Sequence, residues 1–427
     1  MNNTGNKTLP GVYVDFISSR PLTIQVGSQG TVLLPMALDW GDKGKVTEVV
    51  AGDDTRLSLG YSMQEILPLR EAMKNADRVL VYKLNGGEKA SATLGSGTVT
   101  AALPGSRGNA LSLQVTGEEA PFVVDTWLDG VLMDSQEISE YSEFQPNGLV
   151  EINEAGTPAK ALVTLSGGTD EEEQTTDWES FLPSAQTLFF DTMACMSDEE
   201  SVKEQVVSFV RLMREQEGKK IQAVMANKAA DYEGIISVQG GVVLEGDEIL
   251  PAETVCAYIA GMTAGAAINE SCTHHIYQGA VDVTSRMTRA QKEEAVGQGH
   301  MILDVDAAGQ VYVVYDINTL RSGLQVDFRK NRVLRVLDGI HQDVKSLFEG
   351  SYLGKVSNDP NGRSLLRGSL VEYFGKLEQM GAITGFQSDD ISVEPGSDSD
   401  SVIIGIAVAP VDSCEKFYIT VQVNQEV

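Results

Sequence analysis

Basic residues are scarce in this 427-residue chain: 32 Lys and Arg stand against 61 Asp and Glu, a formal net charge of −29. Without a basic excess to displace counterions from phosphates, the composition argues against nucleic-acid binding. The same shortage leaves little to attract an anionic membrane surface. Long apolar runs are missing too. The longest, Val255 to Ile268, is interrupted by Gly261, Thr263 and Gly265, short of the roughly 20 apolar residues a spanning helix needs. The opening MNNTGNKTLPG lacks the apolar core of a secretion leader. Only four cysteines occur, Cys195, Cys256, Cys272 and Cys414, too few for a disulfide framework, so folding in a reducing cytoplasm is expected.

Catalytic signatures are equally sparse. Gly350-Ser351-Tyr352-Leu353-Gly354-Lys355-Val356 is one residue short of a phosphate loop and carries Val where a hydroxyl must reach Mg²⁺. No Gly-x-Gly-x-x-Gly opens a helix, and Gly-x-Ser-x-Gly is absent. His274, His275, His300 and His341 are the only histidines, which restricts Ser-His-Asp and Cys-His arrangements. Cys272-Thr273-His274-His275 lacks the spaced pairs that let two side chains meet one zinc ion, and reads as a loop. Asp398-x-Asp400 lacks the glycine and distal glutamate of a calcium loop. No catalytic, cofactor-binding or metal residue is nominated, and no cofactor is expected.

What the chain does have is 42% hydrophobic and 22% charged residues, a globular mixture. At about 150 residues per domain its length implies roughly three domains. The pattern along it divides into five segments: a strand-forming arm (1–22), an α/β segment (23–93), an all-β insert (94–172), an α/β core (173–327) and an α+β end (328–427). The insert offers ALSLQVTG, PFVVDTWLDG and KALVTLSGG as strands and no helical period. Residues 131–180 hold 12 acidic residues against Lys160 alone. In the core, TLFFD (187–191) reads as a buried strand. Val202, Val206, Val210 and Met213 mark one helix after Asp198. Further strands are KIQAVMA, HMILDV and VYVVYDI, interleaved with a small-residue helix over 252–268 and a helix opened by a Thr288–Gln291 capping box. Repeated β–α–β order predicts a central, largely parallel sheet covered on both faces. Beyond it, Val333, Leu337, Ile340, Val344 and Leu347 mark one helix; Leu366, Leu370, Phe374 and Leu377 mark a second, after Asn361-Gly362. Strands are expected over Val402–Val408 and Lys416–Val423.

Both ends are therefore β-forming. Near the start, Val12, Tyr13, Val14 and Phe16 lie between Gly11 and Pro21; near the finish, Phe417, Ile419, Val421 and Val423 alternate with Tyr418, Thr420 and Gln422. A strand left at a chain end either completes its own sheet or crosses to a neighbour's, and an exposed pairing edge is a liability unless a partner is intended. Strand addition between identical copies is heterologous and propagates into rings or helices. The helix at 329–345 concentrates Arg329, Lys330, Arg332, Arg335 and Lys345 against Asp338 and Asp343. It can face water or an acidic patch on another copy. The expected subunit interface is Val12, Tyr13, Val14 and Phe16 of the first arm, Arg329, Arg332 and Arg335 of the basic helix, and Phe417, Tyr418, Ile419, Val421 and Val423 of the last strand.

LPGVYVDF, GTVLLPMALDWG, DRVLVYKLNGGEKASATL, INTL (317–320), FRKNRVLRVLDGIHQDVK, SYLGKVSND with NGRSLL, and APVDSCEKFYITVQV fall in order along the chain. Together they resemble the tail sheath proteins of contractile-tailed bacteriophages and prophages. The resemblance implies a structural, non-enzymatic subunit of the virion tail, made in the host bacterial cytoplasm. It implies hexameric rings stacked as a helical tube around an inner tail tube protein, bounded by baseplate and tail terminator proteins. Terminal arms exchange strands in that family, and contraction drives the tube through the bacterial envelope. The family's middle domain is described as subtilisin-like; this chain has no Gly-Thr-Ser-Met-Ala nucleophile turn, so protease activity does not carry over. The alternatives are the sheath of a related contractile injection system or bacteriocin, a hydrolase, and a surface-layer protein.

Overall fold

A computed structural model describes residues 30–323 and 326–422. These fall into two bodies: 30–339 with 411–422, and 340–410; the division lies inside the helix Asn331–Leu347.

The larger body is organised by an eight-stranded sheet. Its order is Val46–Val50, Arg78–Lys83, Thr31–Met36, Thr192–Cys195, Gln222–Ala226, Ile235–Gln239, His300–Val305 and Val311–Val313. The inner pairs are parallel and only the two outermost strands run antiparallel to their neighbours. Parallel strands buried on both faces need apolar side chains at consecutive positions. Val32, Leu33 and Leu34 meet that demand, all fully buried. Val32 and Leu34 point into one core with Val255, Cys256 and Ile259 of the helix Ala252–Gly265. Leu33 points into the opposite core with Trp178 and Phe181 of helix Thr175–Ala185 and Val202 and Val206 of helix Glu200–Arg211.

The small-residue helix packs on the sheet as expected, but one of its glycines answers to a second helix. A Cβ on Gly261 would lie 2.2 Å from the carbonyl oxygen of Ala72, in the helix Leu67–Met73. Helix Arg289–Gln298 starts at the Thr288–Gln291 capping box, whose two side chains each bond the other residue's backbone amide.

The strand expected over 187–191 lies elsewhere. Phe189 is 76% exposed, and the buried strand begins at Thr192. Asp191 explains the shift: its Oδ2 accepts the amides of Gly30 and Thr31 at 2.8 and 2.9 Å, so the aromatic run ends in a polar junction. The true strand, Thr-Met-Ala-Cys, is too poor in β-branched and aromatic residues to advertise itself.

Between Leu84 and Trp178 the insert builds two antiparallel sheets around a core of its own. Ser91–Leu94, Gly97–Ala101 and Val150–Asn153 form one. Leu111–Thr116, Phe122–Leu128, Val131–Ile138 and Ala161–Thr164 form the other. Leu113, Val115, Phe122 and Val124 face that core. The α/β segments before and after the insert contribute strands to the same large sheet.

In the second body, helix Pro360–Gln379 buries Leu370, Tyr373, Phe374 and Leu377. It begins at Pro360, so Asn361 and Gly362 lie in its first turn and not ahead of it. Asp359 caps it by accepting the Gly362 amide at 2.7 Å, and proline is preorganised for the first helical position. Ile391–Pro395 pairs antiparallel with Val402–Ile406 as a two-stranded hairpin. The strand expected over Lys416–Val423 is not formed over its described residues 416–422.

Candidate assembly site: the C-terminal segment

Residues 411–422 change character at Glu415. Before that point the segment is bolted down. Glu415 Oε1 accepts from Ser271 Oγ at 2.9 Å and from Thr273 Oγ1 at 2.7 Å, while Oε2 takes the Lys330 ammonium. The Glu415 side chain is only 8% exposed. Lys330 also lies 3.3 Å from Asp412 and over the ring of Tyr315. Burial pulls the lysine's affinity for its proton down, the Glu415 hydrogen bond pulls it up, and the balance lies above the ordinary lysine value. Arg332 Nη1 donates to Ser413 Oγ at 2.7 Å.

Past Glu415 every described side chain is open. Phe417 is 75% exposed, Tyr418 92%, Ile419 82% and Val421 78%. Large apolar side chains at consecutive positions are costly to leave in water, at roughly 1.5–3 kcal/mol each, and a contiguous exposed patch marks an interaction surface.

The structure separates the other interface residues expected from sequence. Arg335 is 5% exposed and spends its guanidinium within its own chain, donating to the Glu270 carbonyl at 2.7 Å and lying 3.9 Å from Asp316. Arg329 Nη2 donates to the Val296 carbonyl. With Arg332 on Ser413, these three arginines bond to other segments of the same body. Val12, Tyr13, Val14, Phe16 and Val423 lie outside the described residues. Gly30, held by Asp191, is the first described residue after the N-terminal segment. Glu415 and Ser271 went unremarked in the sequence, and Thr273 entered only as part of the Cys272–His275 loop, because nothing in their local pattern distinguishes a root from an ordinary loop.

No group of His, Cys, Asp or Glu among the described residues is arranged to hold a metal ion. His274 stacks on Tyr312 at 4.4 Å instead, and burial pushes the Cys272 thiol up. Ser237 Oγ does lie 2.8 Å from His300 Nδ1. Those residues face each other across adjacent strands with Ser237 fully buried, so a substrate carbonyl has no approach to that hydroxyl. No helix among the described residues is long and apolar enough to cross a membrane.

Three stretches match family models: residues 29–84 the tail sheath protein Gp18 domain III N-terminal region, 171–319 the phage tail sheath protein central domain, and 325–424 the phage tail sheath C-terminal domain. The phage-like element PBSX protein XkdK of Bacillus subtilis is 34% identical, with 98% of both chains covered. The chain belongs to the phage tail sheath family. The crystal structure of the sheath tail protein DSY3957 from Desulfitobacterium hafniense superposes with TM-score 0.86 at 38% identity, over 96% of this chain and 99% of that one. The contracted helical sheath of the anti-feeding prophage shares the fold, with TM-score 0.60 at 12% identity over 99% of this chain and 100% of that one. Tail sheath proteins are structural.

Proposed function

We propose that this sheath protein is the repeating subunit of a contractile phage or prophage tail. It polymerises by exchanging terminal strands into a helical tube of hexameric rings around an inner tail tube, between baseplate and tail terminator proteins. Contraction of that tube drives the inner tube through the bacterial envelope. The central sheet then serves as a rigid body of subtilisin-like arrangement, with no reaction to perform.

The observation that carries this reading is the alternation of Phe417, Ile419 and Val421, all exposed on a segment with no strand partner among the described residues of its own chain. In this reading the acceptor is a hairpin that every copy carries. Among the described residues the hairpin Ile391–Pro395/Val402–Ile406 has two strands, and Ile403 on it is 61% exposed. A third strand added there gains backbone hydrogen bonds of about 0.5–1.5 kcal/mol each and apolar burial besides. Donor and acceptor are different surfaces, so the contact is heterologous and propagates.

Fold likeness to the anti-feeding prophage sheath supports a second setting, a contractile injection device, with the same subunit mechanics. Two truncations test the assembly reading: one ending at Glu415, one lacking residues 1–20. Each is expected to fold with unchanged melting and to give no striated tubes in negative-stain micrographs. Normal tubes from the chain ending at Glu415 would refute strand exchange through this segment.

A further inference from the structure

Burial along the C-terminal segment follows parity. Val411, Ser413 and Glu415 are partly covered, whereas Asp412 and Cys414 are exposed. Alternation with a period of two is what an extended chain produces when one side lies against a surface. Two inward side chains are hydrogen-bonded to the body, Ser413 by Arg332 and Glu415 by Ser271, Thr273 and Lys330. Asp412, on the outer side, makes an exposed ion pair with Lys330 at 3.3 Å. The receiving surface is itself braced. Thr273 Oγ1 accepts the Asp316 amide at 3.0 Å, Asp316 Oδ2 accepts the Cys272 amide at 3.0 Å, and Arg335 holds the Glu270 carbonyl. Continuing the odd-numbered series past the last anchor gives Phe417, Ile419 and Val421. Polar bolts and apolar side chains therefore share one parity along a single ribbon.

We infer that the polar knot at Ser413 and Glu415 pins the phase of the C-terminal segment, so that Phe417, Ile419 and Val421 are offered as one face to the sheet of a second copy of this chain. This rests on the strand-exchange reading and adds to it what decides which face docks. A strand slipped by one residue turns its whole apolar set to the opposite side. With the root fixed, the partner never meets the Tyr418–Thr420–Gln422 face in place of the apolar one. A free root would allow either face to dock and would lose the ordering gained in advance.

Insertions distal to the knot test the phase without touching the folded body. One serine added after Lys416 reverses the parity of everything beyond it; two serines restore it. The single insertion is expected to raise the protein concentration needed for tubes by about tenfold or more, the scale of losing one buried apolar side chain. The double insertion is expected to polymerise within a few-fold of the natural chain. Both should melt as the natural chain does. If the single and double insertions polymerise equally well, or fail equally, the phase is not pinned and the inference is overturned. Tubes from the chain ending at Glu415, run alongside, would instead refute strand exchange through this segment. Glu415→Ala supplies a second arm: a freed root should partly rescue the single insertion, and no rescue would count against the knot.

Discussion

Arg214 grips Asp338 with both ends of its guanidinium fork, Nη1 at 2.8 Å from one carboxylate oxygen and Nη2 at 2.9 Å from the other. Arg214 is 3% exposed and also donates to the Ile221 carbonyl. The pair joins the end of helix Glu200–Arg211 to helix Asn331–Leu347 inside the larger body. Burial pushes the Asp338 carboxyl above its usual range even though Arg214 pulls it down.

Removing one partner of such a pair leaves an uncompensated charge in a low-dielectric site. Arg214→Leu is therefore expected to cost about 3–5 kcal/mol of stability near neutral pH, read from urea midpoints. Loss of the arginine lets the Asp338 pKa climb further, so acid protonates the orphaned carboxyl. The deficit should shrink as pH falls into the carboxyl range. A deficit of the same size at about pH 5 and about pH 7.5 would contradict this account of the pair.

Glycine position decides the sign of a single methyl group. At Gly261 the added Cβ meets the Ala72 carbonyl oxygen at 2.2 Å, backbone against backbone. Gly261→Ala should destabilise by about 1–3 kcal/mol, because two helices must separate. Gly297 lies in helix Arg289–Gln298 with nothing within 4 Å of the same Cβ. Gly297→Ala should stabilise by about 0.5–1 kcal/mol through helix propensity alone. Thermal melts of the two variants moving in the same direction would undo the argument.

Asp191 offers a pH-dependent measurement at the start of the described chain. Burial raises its carboxyl pKa, against the pull of the Thr31 and Gly30 amides. A raised folded pKa means that the group's contribution is fullest at low pH and is lost as pH rises through the folded value. Asp191→Asn keeps an acceptor oxygen and never ionises. Its stability relative to the natural chain should therefore improve steadily between about pH 4 and about pH 7. A constant difference across that range would show that the buried charge is not what the junction pays for.

The parts of this molecule that were legible in the sequence are those where one element's pattern is complete in itself. Val202, Val206, Val210 and Met213 repeat on one helical face, and all are buried. The Thr288 capping box needs only four residues to declare itself. Legibility failed where burial comes from the neighbours. Thr192–Cys195 is a central strand because strands from residues 31–36 and 222–226 flank it, not because its residues favour extension. Ile391–Pro395 ends in proline and alternates with Ser392 and Glu394, a weak signal whose meaning comes from Val402–Ile406 across the hairpin. The arginines of the 329–335 region read as a surface charge cluster, yet tertiary contacts turn Arg335 inward. The alternation of Phe417, Ile419 and Val421 was plain, whereas its anchor at Glu415 depends on a loop more than 140 residues away in sequence.

Ile403 allows the acceptor to be tested apart from the donor. It sits on the hairpin with 61% of its surface exposed, so a charge placed there costs the lone chain little; surface changes of this kind usually stay within about 0.5 kcal/mol. In the assembled tube the same position would lie against an incoming strand, where an unpaired carboxylate must be stripped of water. Ile403→Asp should therefore melt like the natural chain and yet form no tubes, while Ile403→Val should form them normally. The donor segment is untouched in both variants, so a loss confined to the aspartate assigns the defect to the receiving edge. Normal tubes from Ile403→Asp would place the partner of Phe417, Ile419 and Val421 somewhere other than this hairpin.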